Sequence, residues 1–348
     1  MGNIGKYKIA TLGSHTALQI LKGAKDEGFK TICICEKGRE RPYTSYNVAD
    51  EIIMVDSFKD YFKIEEKLIK QNAIIIPHGS FVAYIGPDKM KKVKAMHYGA
   101  RDILEWEADR NKQRDWMVDA KIKVPKIFKK PEDIDRPVII KFHGARGGKG
   151  YFIANNAKEF HERYKKYEGT DNATTDYVIQ EYIVGVPVYS HYFYSKLTGE
   201  LEVMGFDKRY ESNADSIGRV SAKDQGDVGI RTTYTITGNV PLVLRESILP
   251  TIFEMGERVI ESSKKLVDGG LFGPFCLEGI IDPHLDYYIF EISARIVAGT
   301  NPYINGSPYT WLRYNEPMST GRRIAREIKT AIKQNKLNKV LGGSAKKT

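Results

Sequence analysis

Cysteine is scarce in this sequence. Three cysteines among 348 residues are too few for a disulfide framework, and no Cys/His cluster has metal-ligand spacing, so structural zinc is not expected either. No apolar run approaches the roughly 20 residues of a membrane span, and residues 1–8 lack the basic-then-apolar order of a signal peptide. We therefore expect a cytoplasmic protein with no membrane segment.

The sequence also lacks a DNA- or RNA-binding signature, although its formal net charge is +10. The lysines are spread along the chain rather than gathered in one patch. A basic balance is equally what a site for two phosphorylated small molecules would show, so the charge alone does not choose between these partners. Without a recognition motif, we expect small-molecule substrates and no nucleic acid.

Internal repeats and low-complexity blocks are absent, and 348 residues are too many for one ordinary core, which predicts two or three domains. Apolar β-prone runs alternate with helical spacing in the first part of the chain. Strands are expected at residues 8–13, 30–35, 51–55 and 73–77, with a helix near 59–71. This β-α-β order predicts a small, mostly parallel sheet.

Polar side chains follow the first and the last of these strands. His15 lies in the turn between the first strand and a helical run, where backbone N–H groups and the helix dipole favour an anion. His78 and Ser80 follow residues 74–76. Because ligands collect at the carboxyl ends of parallel strands, His78 and Ser80 are expected to face the same crevice as His15. An ordinary capped turn and a hydrogen-bonded core histidine are the alternatives.

Residues 137–153 combine two apolar runs with a turn that is rich in glycine and cations. Glycine lets the backbone approach a ligand and leaves N–H groups free to point at an anion, and the cations suit a polyphosphate. The stretch is not a Walker A loop, because His143 and Gly150 stand where that motif needs glycine and serine or threonine. A flexible surface hairpin with solvated cations is the alternative.

Two glutamates lie in apolar runs that are joined by a turn. Glu278 lies within residues 272–281 and Glu291 within 287–295, which predicts adjacent strands of a hairpin. Buried carboxylates repel each other unless a cation lies between them, and Mg²⁺ on nucleotide phosphates is satisfied by one or two carboxylates. The sequence therefore predicts a metal site here. An ion pair between Glu291 and Arg295 is the alternative.

Taken together, these motifs resemble the ATP-grasp superfamily. Lys112 ahead of a helix resembles the start of its nucleotide domain, and the 137–153 hairpin resembles its phosphate-covering loop. Residues 180–185 resemble the segment that meets adenine, and Glu278 and Glu291 resemble the metal pair. Four motifs in the order of the family make this resemblance specific.

The roles of two residues are not settled by the sequence pattern. The family has Glu-x-Asn-x-Arg at its second acidic strand, and Ser293 stands here in place of the asparagine, so a third protein ligand to the metal is not assigned. Glu181 fits either a buried strand with a used carboxylate or an edge strand with a solvated one.

Over essentially the whole chain, the resemblance extends to one family within that superfamily, the archaeal-type formate-dependent FAICAR synthetases. The stretches that carry it are residues 13–24, 77–80, 291–295 and 305–309. The resemblance implies a ligase of purine (IMP) biosynthesis that converts ATP, formate and AICAR (5-amino-4-imidazolecarboxamide ribonucleotide) into FAICAR, ADP and phosphate through formyl phosphate. It also implies Mg²⁺ or Mn²⁺ as the metal and a homo-oligomer.

The same resemblance implies roles for individual residues. Lys141 and Arg295 would be catalytic, and the metal would be held by Glu278 and Glu291. AICAR would be held by His15, Ser80 and Asn239. ATP would be contacted by Lys112, Lys141, Arg146, Gly147, Gly148, Gly150, Gln180, Glu181, Ile183 and Glu211.

The expected fold class is α/β (α+β) with ATP-grasp architecture. An N-terminal substrate-binding domain with a parallel sheet would span residues 1–104, and a lid subdomain with the glycine-rich hairpin would span 105–185. A C-terminal mixed-sheet subdomain with the metal site would span 186–348. Two other functions stay open, namely another ATP-grasp carboxylate–amine ligase with a different acceptor, and a non-catalytic nucleotide- or RNA-binding protein.

Overall fold

The computed structural model describes residues 2–146, 149–165, 177–229 and 232–342, and the strands within them form three sheets. The first sheet consists of β1 Lys8–Leu12, β2 Lys30–Glu36, β3 Glu51–Val55, β4 Ala73–Ile75 and β5 Met96–His97. The helices of this part are α1 Ala17–Asp26, α2 Arg41–Ser45, α3 Tyr61–Lys70 and α4 Pro87–Met90. The strands are parallel and lie in the order β3-β2-β1-β4-β5, which confirms the predicted parallel sheet.

The winding of this sheet brings two loops together. The chain builds β1, β2 and β3 outward in one direction and then crosses over to add β4 and β5 on the other side of β1. The carboxyl ends of β1 and β4 are therefore neighbours at the point where the strand order reverses, which is where open parallel sheets bind ligands. Leu12 and Ile75, at the ends of these strands, are fully buried.

The second sheet is the lid sheet, with strands β6 Ile127–Phe128, β7 Val138–Arg146, β8 Lys149–Ala154 and β9 Tyr177–Glu181. In chain order, helices α5 Leu104–Ala108 and α6 Arg110–Asp119 precede this sheet, and α7 Ala157–Tyr164 lies between β8 and β9. The strands are antiparallel in the order β6-β9-β7-β8, and β7 and β8 pair as a hairpin. Gly147 and Gly148, at its turn, lie outside the described residues.

The third sheet contains β10 Val186–Tyr194, β11 Leu201–Asn213, β12 Tyr234–Leu242, β13 Gly273–Ile281 and β14 Tyr287–Ser293. It is antiparallel with the order β12-β11-β10-β13-β14. The helices of this part are α8 Ala214–Ile217, α9 Ala222–Asp227, α10 Leu249–Leu266, α11 Pro308–Tyr314 and α12 Thr320–Lys333. These limits are compatible with a third unit that starts near residue 186, although the domain boundaries stay predictions.

The first and third sheets share one hydrophobic core, whereas the lid sheet has a core of its own. Ile9 and Ile74 of the first sheet belong to the same buried cluster as Leu277 and Ile289 of the third. The lid cluster is built from residues such as Phe142. Burial of a common apolar core holds the first and third sheets in a fixed relation, whereas the lid sheet is packed around a separate cluster. Within the described residues, no helix has the length and apolar character to cross a bilayer.

Helices α1 and α12 form the closest contact between the first and third parts of the chain. An ideal Cβ on Gly23 of α1 would lie 2.2 Å from the backbone nitrogen of Arg322, so the two helices touch backbone to backbone. Glu27, just after α1, accepts hydrogen bonds from Arg322, Arg326 and Lys329 at 2.9, 2.7 and 3.2 Å. Glycine is therefore required at position 23 by packing.

We expect Gly23→Ala to lower the free energy of unfolding by about 2 kcal/mol, the usual size of an overpacking effect. The methyl group would meet backbone atoms that cannot move without separating α1 from α12. Urea denaturation followed by circular dichroism measures the change. Gly226→Ala in α9 is the matched control, because its Cβ would have nothing within 4 Å and alanine favours a helix. Equal midpoints for the two variants would contradict the packing role of Gly23.

Candidate active site

His15 and Ser80 lie at the neighbouring carboxyl ends of β1 and β4. His15 has a left-handed backbone with a φ angle of 57°. The Ser80 hydroxyl lies 3.1 Å from the hydroxyl of Ser14, so the two loops are hydrogen-bonded. Gly79 makes the close approach possible, because a Cβ there would lie 2.9 Å from Nε2 of His15. The structure therefore brings the two predicted substrate residues to one crevice.

His78 supports this crevice from inside the protein. Its Nε2–H donates to the Leu12 carbonyl at 2.9 Å, and its Nδ1 accepts from the Ser80 N–H at 3.2 Å. These partners define the neutral tautomer, because a carbonyl can only accept and an N–H can only donate. The ring stacks on His15 with centroids 5.4 Å apart. His78 is thus the hydrogen-bonded buried histidine that the sequence left as an alternative.

Both imidazoles of the crevice are uncharged at neutral pH. Burial lowers the pKa of His78 to about 4. The pKa of His15 is also lowered to about 3, first by the protein around its ring, although the residue keeps part of its surface exposed, and then by His78 and the guanidinium groups of Arg295 and Arg209. His15 can therefore hydrogen-bond a ligand but does not offer it a positive charge.

Glu278 and Glu291 face each other across β13 and β14. They are direct partners in the register of the two strands, and a bulge follows Glu278. The side chain of Glu278 is 3% exposed; its Oε1 accepts from the Ser293 hydroxyl at 3.2 Å, and its Oε2 accepts from Nη2 of Arg209. The charge of Glu278 and then burial raise the pKa of Glu291 to about 7. The repulsion inferred from the sequence is present in the fold.

This pair of carboxylates fits a divalent cation. Oxygen ligands suit Mg²⁺ and Mn²⁺, and Mg²⁺ at nucleotide sites uses one or two carboxylates with phosphate oxygens completing its shell. Among the described residues, no group of three or more His, Cys, Asp or Glu side chains could hold a metal ion. A metal at Glu278 and Glu291 would therefore need ligands from a bound nucleotide or water.

Arg295 pairs with Glu107 of α5 rather than with Glu291. Nη2 of Arg295 lies 2.9 Å from Oε1 of Glu107 and its Nε donates to the same oxygen at 3.1 Å, while Oε2 of Glu107 accepts from the Ala294 N–H at 2.8 Å. Arg295 still lies close enough to Glu291 to lower its pKa. Glu107 and Arg209 were missed in the sequence, because they lie 188 and 69 residues from their partners.

Lys141 connects the lid sheet with the carboxylate pair. Its ammonium donates to Oε1 of Gln180 at 3.2 Å, which joins two predicted ATP residues. Burial and then Arg110 lower the pKa of Lys141, and Glu291 raises it, so Lys141 lies within electrostatic reach of Glu291. Arg110 is a further cation here, and the signal that could have revealed it is its position two residues before Lys112.

Lys112 belongs to α6 and contacts α5 at Glu105, not at Glu107. Its ammonium pairs with Glu105 and stands 5.8 Å from the centroid of the Trp106 ring. The ion pair, together with Lys91, lowers the pKa of Glu105 to about 2. Glu105 and Glu107 are two residues apart and so point about 200° apart around the helix. Lys112 therefore meets α5 away from the Glu107–Arg295 pair.

The remaining predicted ATP residues lie in the lid sheet, in the connection that follows it and in β11 of the third sheet. Glu181 accepts from the Lys126 N–H and from Nη1 of Arg136, both at 3.0 Å, so its carboxylate is used within the protein. Ile183 lies in the connection between β9 and β10. Burial raises the pKa of Glu211 in β11, and the nearby Arg209 offsets part of this rise. The backbones of Arg146 and Gly150 belong to β7 and β8.

Asn239 of β12 is the third predicted AICAR residue. Its Nδ2 donates to Oδ2 of Asp207 at 2.7 Å, and Oδ1 of Asp207 lies 2.7 Å from Nε2 of His191. Asn239 is the direct register partner of Arg209, whose charge reaches His15. Asn239 thus neighbours Arg209, which binds Glu278 of the carboxylate pair.

In metal-free protein, we expect Glu291→Gln to raise the unfolding temperature by several degrees at pH 8. Between pH 4.5 and about 7, native Glu291 keeps a proton that the unfolded chain has lost, so wild-type stability falls as the pH rises through this window. Glutamine cannot ionise and escapes this loss, which is on the order of 3 kcal/mol. Thermal unfolding in EDTA at pH 5 and pH 8 measures the difference. Glu254→Gln, at an exposed position of α10, is the control. A shift of the same size at both pH values would contradict the repulsion.

Two sequence families match the chain. One is described as a protein of unknown function, DUF1246, and matches residues 9–128; the other is described as a domain of unknown function, DUF1297, and matches residues 157–342. A protein of Pyrococcus abyssi is 53% identical over 336 residues, which are 96% of this chain and 98% of that protein. Its name is 5-formaminoimidazole-4-carboxamide-1-(beta)-D-ribofuranosyl 5'-monophosphate synthetase.

Solved structures agree with this relationship. The crystal structure of an IMP biosynthesis protein, PurP, from Thermococcus kodakaraensis is 29% identical, has a TM-score of 0.77, and matches 96% of this chain and 99% of that one. The biotin carboxylase domain of the Hydrogenobacter thermophilus 2-oxoglutarate carboxylase, solved with MgADP, has a TM-score of 0.62 at 16% identity and matches 92% and 69% of the two chains. The latter likeness shows the fold alone. The chain therefore belongs to the 5-formaminoimidazole-4-carboxamide-1-(beta)-D-ribofuranosyl 5'-monophosphate synthetase family, whose members are ligases of IMP biosynthesis with the ATP-grasp fold, as the sequence resemblance predicts.

Proposed function

We propose that this protein is the ATP-dependent ligase that joins formate to the amine of AICAR, giving FAICAR, ADP and phosphate. The observation that carries the proposal is the 53% identity, over nearly the whole of both chains, with a protein whose name states this product. The geometry supports it, because Arg209 binds Glu278 of the carboxylate pair and stands opposite Asn239, a proposed AICAR residue, in the strand register. One part of the site thus suits an acceptor nucleotide and the other a polyphosphate.

The proposed chemistry has two steps. One oxygen of formate forms a bond to the γ-phosphorus of ATP, the bond from that phosphorus to the bridging oxygen breaks, and the electron pair leaves with ADP. The AICAR amine then forms a bond to the formyl carbon, the carbon–oxygen bond to phosphate breaks, and the nitrogen loses a proton. Mg²⁺ or Mn²⁺ on Glu278 and Glu291 would supply charge neutralisation at the phosphates.

Residues of the chain carry the rest of the proposed mechanism. Lys141 and Arg295 offset the charge that develops during phosphoryl transfer. The hairpin of β7 and β8 closes over the phosphates and keeps water from the acyl phosphate. The separate core of the lid sheet suits such a closing movement. The nucleotide is surrounded by Gln180, Glu181, Ile183 and Glu211. AICAR is held by His15, Ser80 and Asn239. Among the described residues, no side chain stands out as a general base for the amine.

The proposal is tested by the release of ADP and phosphate from Mg-ATP, with AICAR and formate supplied together and then singly. Release that needs both substrates, together with a formylated product, is expected. Protein that binds ATP but releases no ADP with both substrates would exclude this acceptor pair, and the search would then turn to other amines and carboxylates within the same fold.

We expect His15→Ala to raise the KM for AICAR at least tenfold and to leave the KM for ATP within about twofold. A lost hydrogen bond to a ligand typically costs about 1.5 kcal/mol, which corresponds to roughly this factor. Steady-state kinetics with each substrate varied in turn gives both constants. His284→Ala, in the exposed turn between β13 and β14, is the control. An unchanged AICAR response would remove His15 from the site.

A further inference from the structure

Arg209 of β11 carries a guanidinium group that none of the sequence motifs includes. The group lies 4.4 Å from the centroid of the Tyr189 ring, and its Nη2 donates to Oε2 of Glu278. A guanidinium has five N–H donors in one plane, and stacking on Tyr189 holds that plane. The side chain is 28% exposed, so part of it is open to solvent.

The position of Arg209 is between the two halves of the site. Across the sheet, its register partner is Asn239, a predicted AICAR residue. Its side chain binds Glu278, a predicted metal residue, and its charge reaches His15. A small anion held by Arg209 would therefore lie where the phosphoryl donor and the acceptor amine have to meet.

Arg295 is less suited to receive an incoming anion. Its side chain is 13% exposed, and its Nε and Nη2 both bind Glu107. A cavity beside Arg295 has a volume of only about 10 Å³, which is room for about one water molecule. Glu107 is not a member of the carboxylate pair, so metal binding would leave its bonds to Arg295 in place. The partner of Arg209, by contrast, is itself the residue that a metal would take.

The charge balance of the site depends on the metal. Without it, Arg209 is attracted to Glu278, which stands directly opposite Glu291 in the strand register. A divalent cation on the pair offsets this attraction and repels Arg209. Oε2 of Glu278 already accepts from Arg209, so a metal that binds this oxygen competes with the guanidinium group for the same negative charge.

We propose that Arg209 binds the carboxylate substrate, and that Glu278 occupies Arg209 until a divalent cation takes this glutamate. The proposal rests on the proposed function, under which that substrate is formate. A planar guanidinium matches a carboxylate in two parallel hydrogen bonds. In the first step, Arg209 holds one formate oxygen while the other forms the bond to the γ-phosphorus and the electron pair of the broken bond leaves with ADP. Metal binding thus precedes formate binding.

The competition for Glu278 is tested without catalysis. Mn²⁺ binding to the nucleotide-free protein at pH 8 is followed by electron paramagnetic resonance. Arg209→Gln is expected to bind Mn²⁺ about tenfold more tightly than the wild type, because the competing cation is gone. Arg39→Gln, which removes the ion pair of an exposed arginine with Glu36, is expected to match the wild type. Unchanged or weaker Mn²⁺ binding by folded Arg209→Gln would overturn the competition.

The role in formate binding is tested with Arg209→Lys, which keeps the charge but loses the planar fork. Its KM for formate is expected to rise at least fiftyfold, while its KM values for ATP and AICAR stay within threefold of wild type. A purely structural clamp on Glu278 would change kcat or stability and leave the formate KM unmoved. A thermal shift adds a second readout: formate, compared with equal chloride, is expected to stabilise wild type only with Mg²⁺ and an ATP analogue present, and not to stabilise Arg209→Lys.

The outcomes separate this inference from the proposed function. If the wild type makes FAICAR and Arg209→Lys keeps the wild-type formate KM, the inference alone is wrong. If the wild type releases no ADP with formate and AICAR, the proposed function is wrong, formate is withdrawn as the ligand of Arg209, and the Mn²⁺ titration by itself decides the competition for Glu278.

Discussion

Two carboxylates held opposite each other on a hairpin are the constraint around which the site is organised. The register of β13 and β14 sets Glu278 against Glu291, and the backbone pairing does not let the strands separate. The repulsion is reduced by Arg209 and Arg295, but it still raises the pKa of Glu291 to about 7. A divalent cation relieves this repulsion directly, so the fold stores an electrostatic preference for a metal. These two cations come from β11 and from the residues that follow β14, so the neutralisation of the pair depends on strands beyond the hairpin itself.

The two halves of the crevice use different interactions. Around His15 and His78 the side chains are neutral, because burial and neighbouring guanidinium groups lower the pKa of both imidazoles. Around Glu278 the side chains are charged. Recognition of the acceptor by hydrogen bonds and neutralisation of the phosphates by charge can therefore proceed side by side. The common core of the first and third sheets holds these halves together, and the separately packed lid sheet supplies Lys141, whose pKa Glu291 raises.

Local sequence patterns were sufficient for part of this structure. The alternation of apolar strands with helices predicted the parallel sheet, and the polar residues after two of its strands predicted the crevice of His15 and Ser80. Glu278 and Glu291 were recognisable because each interrupts an apolar run close to one turn. All of these signals lie within one or two neighbouring elements.

The partners of these residues could not be predicted in the same way. Arg209 and Glu107 reach Glu278 and Arg295 across 69 and 188 residues, and nothing in their own surroundings distinguishes them from solvated charges. The pairing of Arg295 with Glu107 instead of Glu291 is decided by the packing of α5 against the end of β14. Tertiary packing thus determines which cation neutralises which carboxylate, and the sequence shows only that neutralisation is needed.

The most direct test of the carboxylate pair as a metal site is anomalous scattering from crystals that contain Mn²⁺ and ADP. We expect a manganese peak between the carboxylates of Glu278 and Glu291, with phosphate oxygens completing its shell and Arg209 released from Glu278. Clear density for ADP without manganese at these glutamates, and with the bond between Arg209 and Glu278 intact, would contradict it.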